Sequence, residues 1–281
     1  MTKKGEKEAL KHIRLYNAGD NEWAFEYPRL TSEAMDSLDE GIDKYRSGDL
    51  YGAKLRFNEL IKKFPEFIDA YHHLALTMDV LGGPYQSFNL VKDATDIGLS
   101  TFPQNFYFGR DLLPWLDLDN RPFLRVYHFC ALKYSQLGET EKAVCIFNNI
   151  LDMNPNDNQG ARCLAVNCYL TLKRPVDVLR IVETYPEDML AETLYGKVLA
   201  LFQLDRIKEA HKALKEAEAA LPLVAAEIAK KQHRKPKNLE TKYITHGGKD
   251  EAYIYWMEGA KHWKETPGAI EFVREYLSKR D

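Results

Sequence analysis

A short pattern returns five times along this chain: a turn residue, a small residue a few positions later, an apolar residue four further on, then a proline. It is clearest in "YRSGDLYGAKLRFNELIKKFP" (Tyr45 to Pro65), "YSQLGETEKAVCIFNNILDMNP" (Tyr134 to Pro155) and "QLDRIKEAHKALKEAEAALP" (Gln203 to Pro222). Two looser copies are "LGGPYQSFNLVKDATDIGLSTFP" and "LKRPVDVLRIVETYP". The small positions are Ala53, Ser87, Ala143, Val178 and Ala210, spaced 34, 56, 35 and 32 residues apart. Such a period means stacked supersecondary units, with about 22 residues inserted between the second and third copies. Each unit reads as two antiparallel helices. The small residue permits close approach, Gly or a polar residue turns the chain, and Pro ends the second helix. One pair cannot bury its apolar face alone, so neighbours must stack. The fold class expected is therefore an all-α solenoid of helical hairpins.

Composition narrows the function. The 281 residues are 45% hydrophobic and 29% charged, with net charge −3, so no global basic field points to nucleic acid. The N-terminal "MTKKGEKEAL" has no apolar run behind it, and no stretch approaches the length of a membrane span, so a cytoplasmic protein is expected. Cys130, Cys145, Cys163 and Cys168 lack CxxC spacing and read as buried thiols rather than metal ligands.

The repeats resemble those of the tetratricopeptide (TPR) family. More narrowly, the chain looks like a largely uncharacterised, mainly bacterial group of TPR proteins, through "NRPFLRVYHFCAL", "NPNDNQGARCL", "YPED" and "KDEAYIYWMEGAKHWKETPGAIEFV". It is distantly similar to the suppressor-of-tumorigenicity-seven proteins. The resemblance implies five TPR-like hairpins and an interaction role. The division it suggests is an N-terminal helix and link over 1–30, repeats one and two over 31–103 and an aromatic insert over 104–120. Repeats three to five follow over 121–222, then a basic linker and helical cap over 223–281. The insert, "QNFYFGRDLLPWLDLDN", is expected on the surface.

Candidate chemistry is sparse. "DMNPNDNQG" alternates acidic and amide residues, but Asp157 and Cys163 stand where a calcium loop needs Gly and Glu. It reads as a turn in which Asp157 or Asn158 caps the next helix. Adjacent His72 and His73 point about 100° apart on a helix and cannot share a metal. No phosphate-binding or nucleophile motif occurs, and Asp117 with Asp119 could pair as acid and base only if a site converged on them. No catalytic residue, metal or cofactor is expected. An enzyme near the insert ranks third. The basic run Lys230, Lys231, Arg234, Lys235 and Lys237 supports a second reading, a nucleic-acid-associated regulator, although it lacks interleaved aromatics.

The leading expectation is a non-catalytic adaptor that binds a protein or peptide. By the TPR resemblance, groove positions on the first helices fall on Asp69, His72 and Asp79, then Arg125, His128, Ser135 and Gln136, then Arg162 and Tyr169, and Tyr195 and Phe202. Arg would read a carboxylate and aromatics would anchor side chains. His128 and Leu132 occupy Lys/Asn positions of the chaperone-type carboxylate clamp, so an acidic chaperone tail is not expected. The groove could instead be filled by the protein's own tail, and exposed ends leave self-association open. Near the C-terminus, "GAKHWKETPGAIEFVREY" reads as a joint and cap: Trp263 in one helix, Thr266 as N-cap, Pro267 at the first helical position and Gly268 permitting close approach.

Overall fold

The computed structural model describes residues 12–237, 239 and 243–279. It opens with an antiparallel hairpin, β1 (Arg14–Gly19) and β2 (Glu22–Glu26). Helices follow in pairs: α1 (Ser32–Ser47) and α2 (Leu50–Lys63), α3 (Ile68–Val80) and α4 (Pro84–Leu99), α5 (Arg121–Gln136) and α6 (Thr140–Met153). Then come α7 (Ala161–Thr171) and α8 (Pro175–Thr184), α9 (Ala191–Gln203) and α10 (Ile207–Ala220). Three further helices close the chain: α11 (Pro222–Ala229), α12 (Lys249–Lys264) and α13 (Ala269–Ser278). The fold is all-α in class, TPR-like hairpins with a C-terminal helical cap. It divides into two compact units, one through Ala161 and one from Arg162.

The repeat chemistry is visible residue by residue. Ala53, Ser87, Ala143, Val178 and Ala210, the five small positions, are all completely buried. The turn inside each hairpin carries a left-handed residue: Gly48 (φ 88°), Gly82 (78°), Gly138 (77°), Lys173 (55°) and Asp205 (57°). At the last four, the left-handed residue donates its N–H three residues back and the next N–H reaches five back, the Schellman pattern that satisfies a helix's last carbonyls. The prolines act just beyond the second helices. Phe64, Asn154, Tyr185 and Leu221, each preceding a proline, all leave the helix at φ between −135° and −120°. Proline Cδ bars these residues from the helical region.

In the unit through Ala161, the link expected over residues 17–30 is in large part a strand. Asp20 (φ 45°) and Asn21 (φ 62°) make the two-residue turn that right-twisted strands favour. Where the short helix expected ahead of that link falls on described residues, 14–16 belong to β1 instead, and residues 1–11 lie outside the described residues. The insert is not a surface appendage. Trp23 N–H donates to the Leu112 carbonyl at 2.9 Å and Leu112 N–H to that of Asn21 at 2.8 Å, adding the insert beside β2. Buried Asn120 then accepts from Phe25 N–H and donates to the Trp23 and Pro114 carbonyls, all within 3.1 Å. Phe25, Phe102, Phe106 and Phe123 pack ring to ring between hairpin, insert and α5. Tyr107, Leu116 and Leu118 remain exposed. The insert folds inward because its aromatics, those of the hairpin and Phe123 of α5 bury one another's apolar surface.

In the unit from Arg162, α11, α12 and α13 pack on one another and against α9 and α10. Gly196 lets α9 approach α7: a Cβ there would stand 2.7 Å from Val166 Cγ1. Cys130 and Cys168 are buried, but Cys145 is exposed, contrary to expectation. Among the described residues, no helix is long and apolar enough to cross a membrane.

Candidate functional site

The first helices of the unit through Ala161 bring several of the expected groove residues together. α3 and α5 touch directly, and two ion pairs bridge them. Arg125 Nη2 donates to both carboxylate oxygens of buried Asp69, at 3.0 and 2.8 Å. Nearly a helix length away, Lys133 Nζ donates to both oxygens of Asp79 at 2.5 Å and lies 5.0 Å from the Phe129 ring centre. Between these pairs, His72 meets the edge of Phe129 at 5.6 Å, and His73 stacks on Phe57 at 5.7 Å.

The imidazoles here are held neutral. Burial, then the nearby His73, Arg125 and His128, pushes His72 down to about 3. Burial lowers His73, despite Asp69, and lowers His128, despite Asp157. Three buried nitrogens on α3 and α5 lack a hydrogen-bond partner: His72 Nδ1, Arg125 Nε and Nε2 of His128, whose ring packs on Phe147 of α6 at 5.6 Å. Such groups cost about 1–3 kcal/mol each when left unpaired. Gln136 and Ser135, at the far end of α5, are exposed.

The remaining expected groove residues are engaged by the chain itself. Arg162 donates to Asp188 at 2.7 and 3.1 Å and lies over Tyr185. Tyr169 is buried, and its hydroxyl accepts from Arg180 at 2.9 Å. Tyr195 is completely buried beneath α11 and α12. Its hydroxyl donates to the Leu221 carbonyl (2.7 Å), accepts from Ala225 N–H (3.1 Å), and its ring lies 5.7 Å from Tyr255. Phe202 packs on Phe272 of α13 at 5.1 Å. Thus Tyr169 and Tyr195 sit in the interior, and the chain's own C-terminal helices cover the α9 positions. The sequence reading did not single out Lys133 or Phe129. Their signal is the helical spacing from Arg125 that places a cation and an aromatic on the same face.

The cap differs in detail from its sequence reading. Trp263 is buried and its Nε1 donates to Tyr255 Oη at 2.9 Å. Thr266 does not N-cap the last helix. Its hydroxyl donates backward to the His262 carbonyl at 2.8 Å. That single hydroxyl proton is then spent, so Thr266 Oγ1 must accept from Gln203 Nε2 (2.9 Å), which leaves buried Gln203 Oε1 without a partner. Pro267 is not the first helical residue either. Thr266, Pro267, Gly268 and Ala269 form a β-turn closed by Ala269 N–H on the Thr266 carbonyl (3.2 Å). Gly268 at φ 82° and ψ −10° is the third residue, as in a type II turn with Pro second. Beside this turn lies a cleft of about 400 Å³, walled by Leu170, Lys173, Phe202, Gln203 and His262.

The other candidates disperse. The Asp117 side chain accepts from Asp119 N–H at 3.0 Å, and Arg121 Nε donates to the Trp115 carbonyl at 2.9 Å. Neither Asp157 nor Asn158 is the N-cap of α7, which starts at Ala161; Asp157 Oδ1 instead accepts from Ala161 N–H at 2.7 Å from four residues upstream. In the basic stretch, Lys230 pairs with buried Glu227, and His233 lies between Glu227 (3.0 Å) and the Trp256 ring (4.0 Å). Lys231, Arg234, Lys235 and Lys237 are exposed.

No family model matches the sequence, and no curated protein aligns with it significantly. Solved structures do. A tetratricopeptide repeat protein from Parabacteroides merdae aligns over 89% of this chain and 79% of its own, with TM-score 0.52 and 16% identity. The MamA protein aligns over 72% of this chain and 98% of its own, with TM-score 0.51 and 14% identity. The fold is TPR-like. At these identities the likeness speaks to fold alone, and function must come from the residues.

Proposed function

We propose that the chain is a non-catalytic interaction scaffold, and that the first-helix face of α3 and α5 receives a peptide or protein segment. The observation that carries this reading is the trio of unpartnered buried nitrogens on His72, Arg125 and His128, with His72 against the Phe129 ring. A folding domain gains nothing from leaving such groups unpaired, whereas a binding surface can pair them with a ligand. Aromatic rings at the same place supply the apolar contact that anchors a segment. The narrower kinship with the bacterial group that carries NPNDNQG and W-x-x-TPGA signatures belongs to the same proposal. The test is affinity purification with mass spectrometry from the native source, comparing the wild-type chain with a His72→Ala/His128→Ala variant whose helicity is checked by circular dichroism. Loss of a specific co-purifying protein from the folded variant is the expected result. An unchanged partner set would overturn the reading.

A further inference from the structure

We propose that the cleft beside the Thr266 turn binds a small zwitterion, an α-amino acid with an apolar side chain. The cleft lies in the unit from Arg162 and shares no residue with the α3–α5 face. Its volume of about 400 Å³ falls within the roughly 300–1,000 Å³ of ligand pockets. Its walls come from the α7–α8 turn, from the C-terminal end of α9, and from the end of α12 with the turn that follows. The α7–α8 turn supplies a cation. Lys173 lines the cleft and forms no ion pair among the described residues. Its backbone is left-handed, φ 55°, the region that Gly48, Gly82 and Gly138 occupy in the corresponding turns. A side chain there is a net cost to folding, so the turn itself does not call for a lysine. Strained positions of this kind gather where a side chain serves a site.

The ends of α9 and α12 supply acceptors. Glu265 lines the same cleft, and its ion-pair partner among the described residues is Lys261, 4.0 Å away on its own helix. Lys173 and Glu265 are therefore opposite charges on one cleft that do not pair with each other. Gln203 Oε1 is buried without a partner, while Thr266 holds the other end of that amide. Such an acceptor is costly unless a ligand brings it a donor. His262, lowered by burial, adds a neutral ring that repels neither charge. A simple anion entering here would meet Glu265 and the unpaired Gln203 oxygen, and a simple cation would meet Lys173. A zwitterion satisfies both: its ammonium donates to Gln203 Oε1 and the Glu265 carboxylate, and its own carboxylate accepts from Lys173 Nζ. Leu170 and the half-buried Phe202 ring are the apolar walls for its side chain.

The experiment is isothermal titration calorimetry of the full chain with L-leucine, L-methionine and L-phenylalanine, each beside its N-acetyl and carboxamide derivatives. At least one amino acid should bind with Kd below about 1 mM, and blocking either its ammonium or its carboxylate should weaken it at least about tenfold. Lys173→Gly should weaken binding at least about tenfold while its Tm rises, a combination that a merely structural lysine would not give. Glu265→Gln should weaken binding of the free amino acid with little change in Tm. No binding of any of the three up to about 10 mM would overturn the proposal. So would an affinity that survives blocking of either end, as a peptide terminus would show, or one that Lys173→Gly leaves unchanged.

Discussion

One guanidinium nitrogen of Arg125 holds both carboxylate oxygens of Asp69, at 3.0 and 2.8 Å, and in doing so ties α5 to α3. The pair is asymmetric, because the Asp69 side chain is 9% exposed and that of Arg125 37%. Removing the arginine strands a buried anion, whereas removing the carboxylate leaves a cation that water can reach. Arg125→Met should therefore cost more in urea unfolding, about 2–3 kcal/mol, than Asp69→Asn at about 1 kcal/mol. Equal costs, or the reverse order, would contradict this view of the pair.

The hairpin turns give a prediction of opposite sign. Lys173 and Asp205 occupy the left-handed position that Gly82 and Gly138 fill in equivalent Schellman turns. A side chain there costs about 1 kcal/mol, less for Asp because short polar side chains tolerate that region. Lys173→Gly should raise stability by up to about 1 kcal/mol and Asp205→Gly by less. Thermal unfolding of the two variants checks both the sign and the order.

Acid sensitivity follows from the buried imidazoles. The folded-state pKa of His72 is depressed to about 3 by burial, while the unfolded chain titrates near 6.5. Below the unfolded value, the unfolded state takes a proton that the native state refuses. The stability is fully present above about pH 6.5 and falls as pH drops towards 3, at most about 1.4 kcal/mol per pH unit for one histidine. His73, His128 and His262, all lowered by burial, act in the same direction. Urea midpoints should fall between pH 7 and pH 5.5, where ordinary carboxylates are still ionised. His72→Gln should flatten part of that slope, and a midpoint that rises on acidification would count against neutral histidines.

The C-terminal cap is expected to be a stability element. Phe272 covers Phe202 and His211, Tyr276 lies over His211, and a Cβ at Gly268 would stand 3.6 Å from Phe202 Cζ. Truncation after Glu265 should expose this end of α9 and α10 and produce aggregation or loss of helicity by circular dichroism. A monomeric truncate with wild-type helicity per residue would rule the role out.

The sequence carried the repeats because their causes are local. A small residue, a left-handed turn and a proline each act within a few positions, and Ala53, Ala143 and Ala210 announce close approach whatever surrounds them. The β-hairpin was hidden for the opposite reason. "NAGDNEW" holds the right turn residues, Asp20 and Asn21, but a lone hairpin is stable only when something covers it, and Leu112 and Asn120 lie about 90 residues away. The site was legible at the level of which residues share a face, through helical spacing. It was not legible that Asp69 and Arg125 neutralise each other, because that pairing depends on how two hairpins stack. Nor could spacing reveal that α11 and α12 cover Tyr195. Thr266 and Pro267 mimic a helix start in sequence, and only the left-handed backbone of Gly268 turns them into a β-turn.

The most direct test of the binding face is hydrogen exchange on the full chain with and without a peptide selected on it. Protection should concentrate in Ile68–Val80 and Arg121–Gln136, the two first helices that carry His72, Arg125 and His128. Protection confined instead to α2, α4 and α6, or to the cleft beside Thr266, would contradict it.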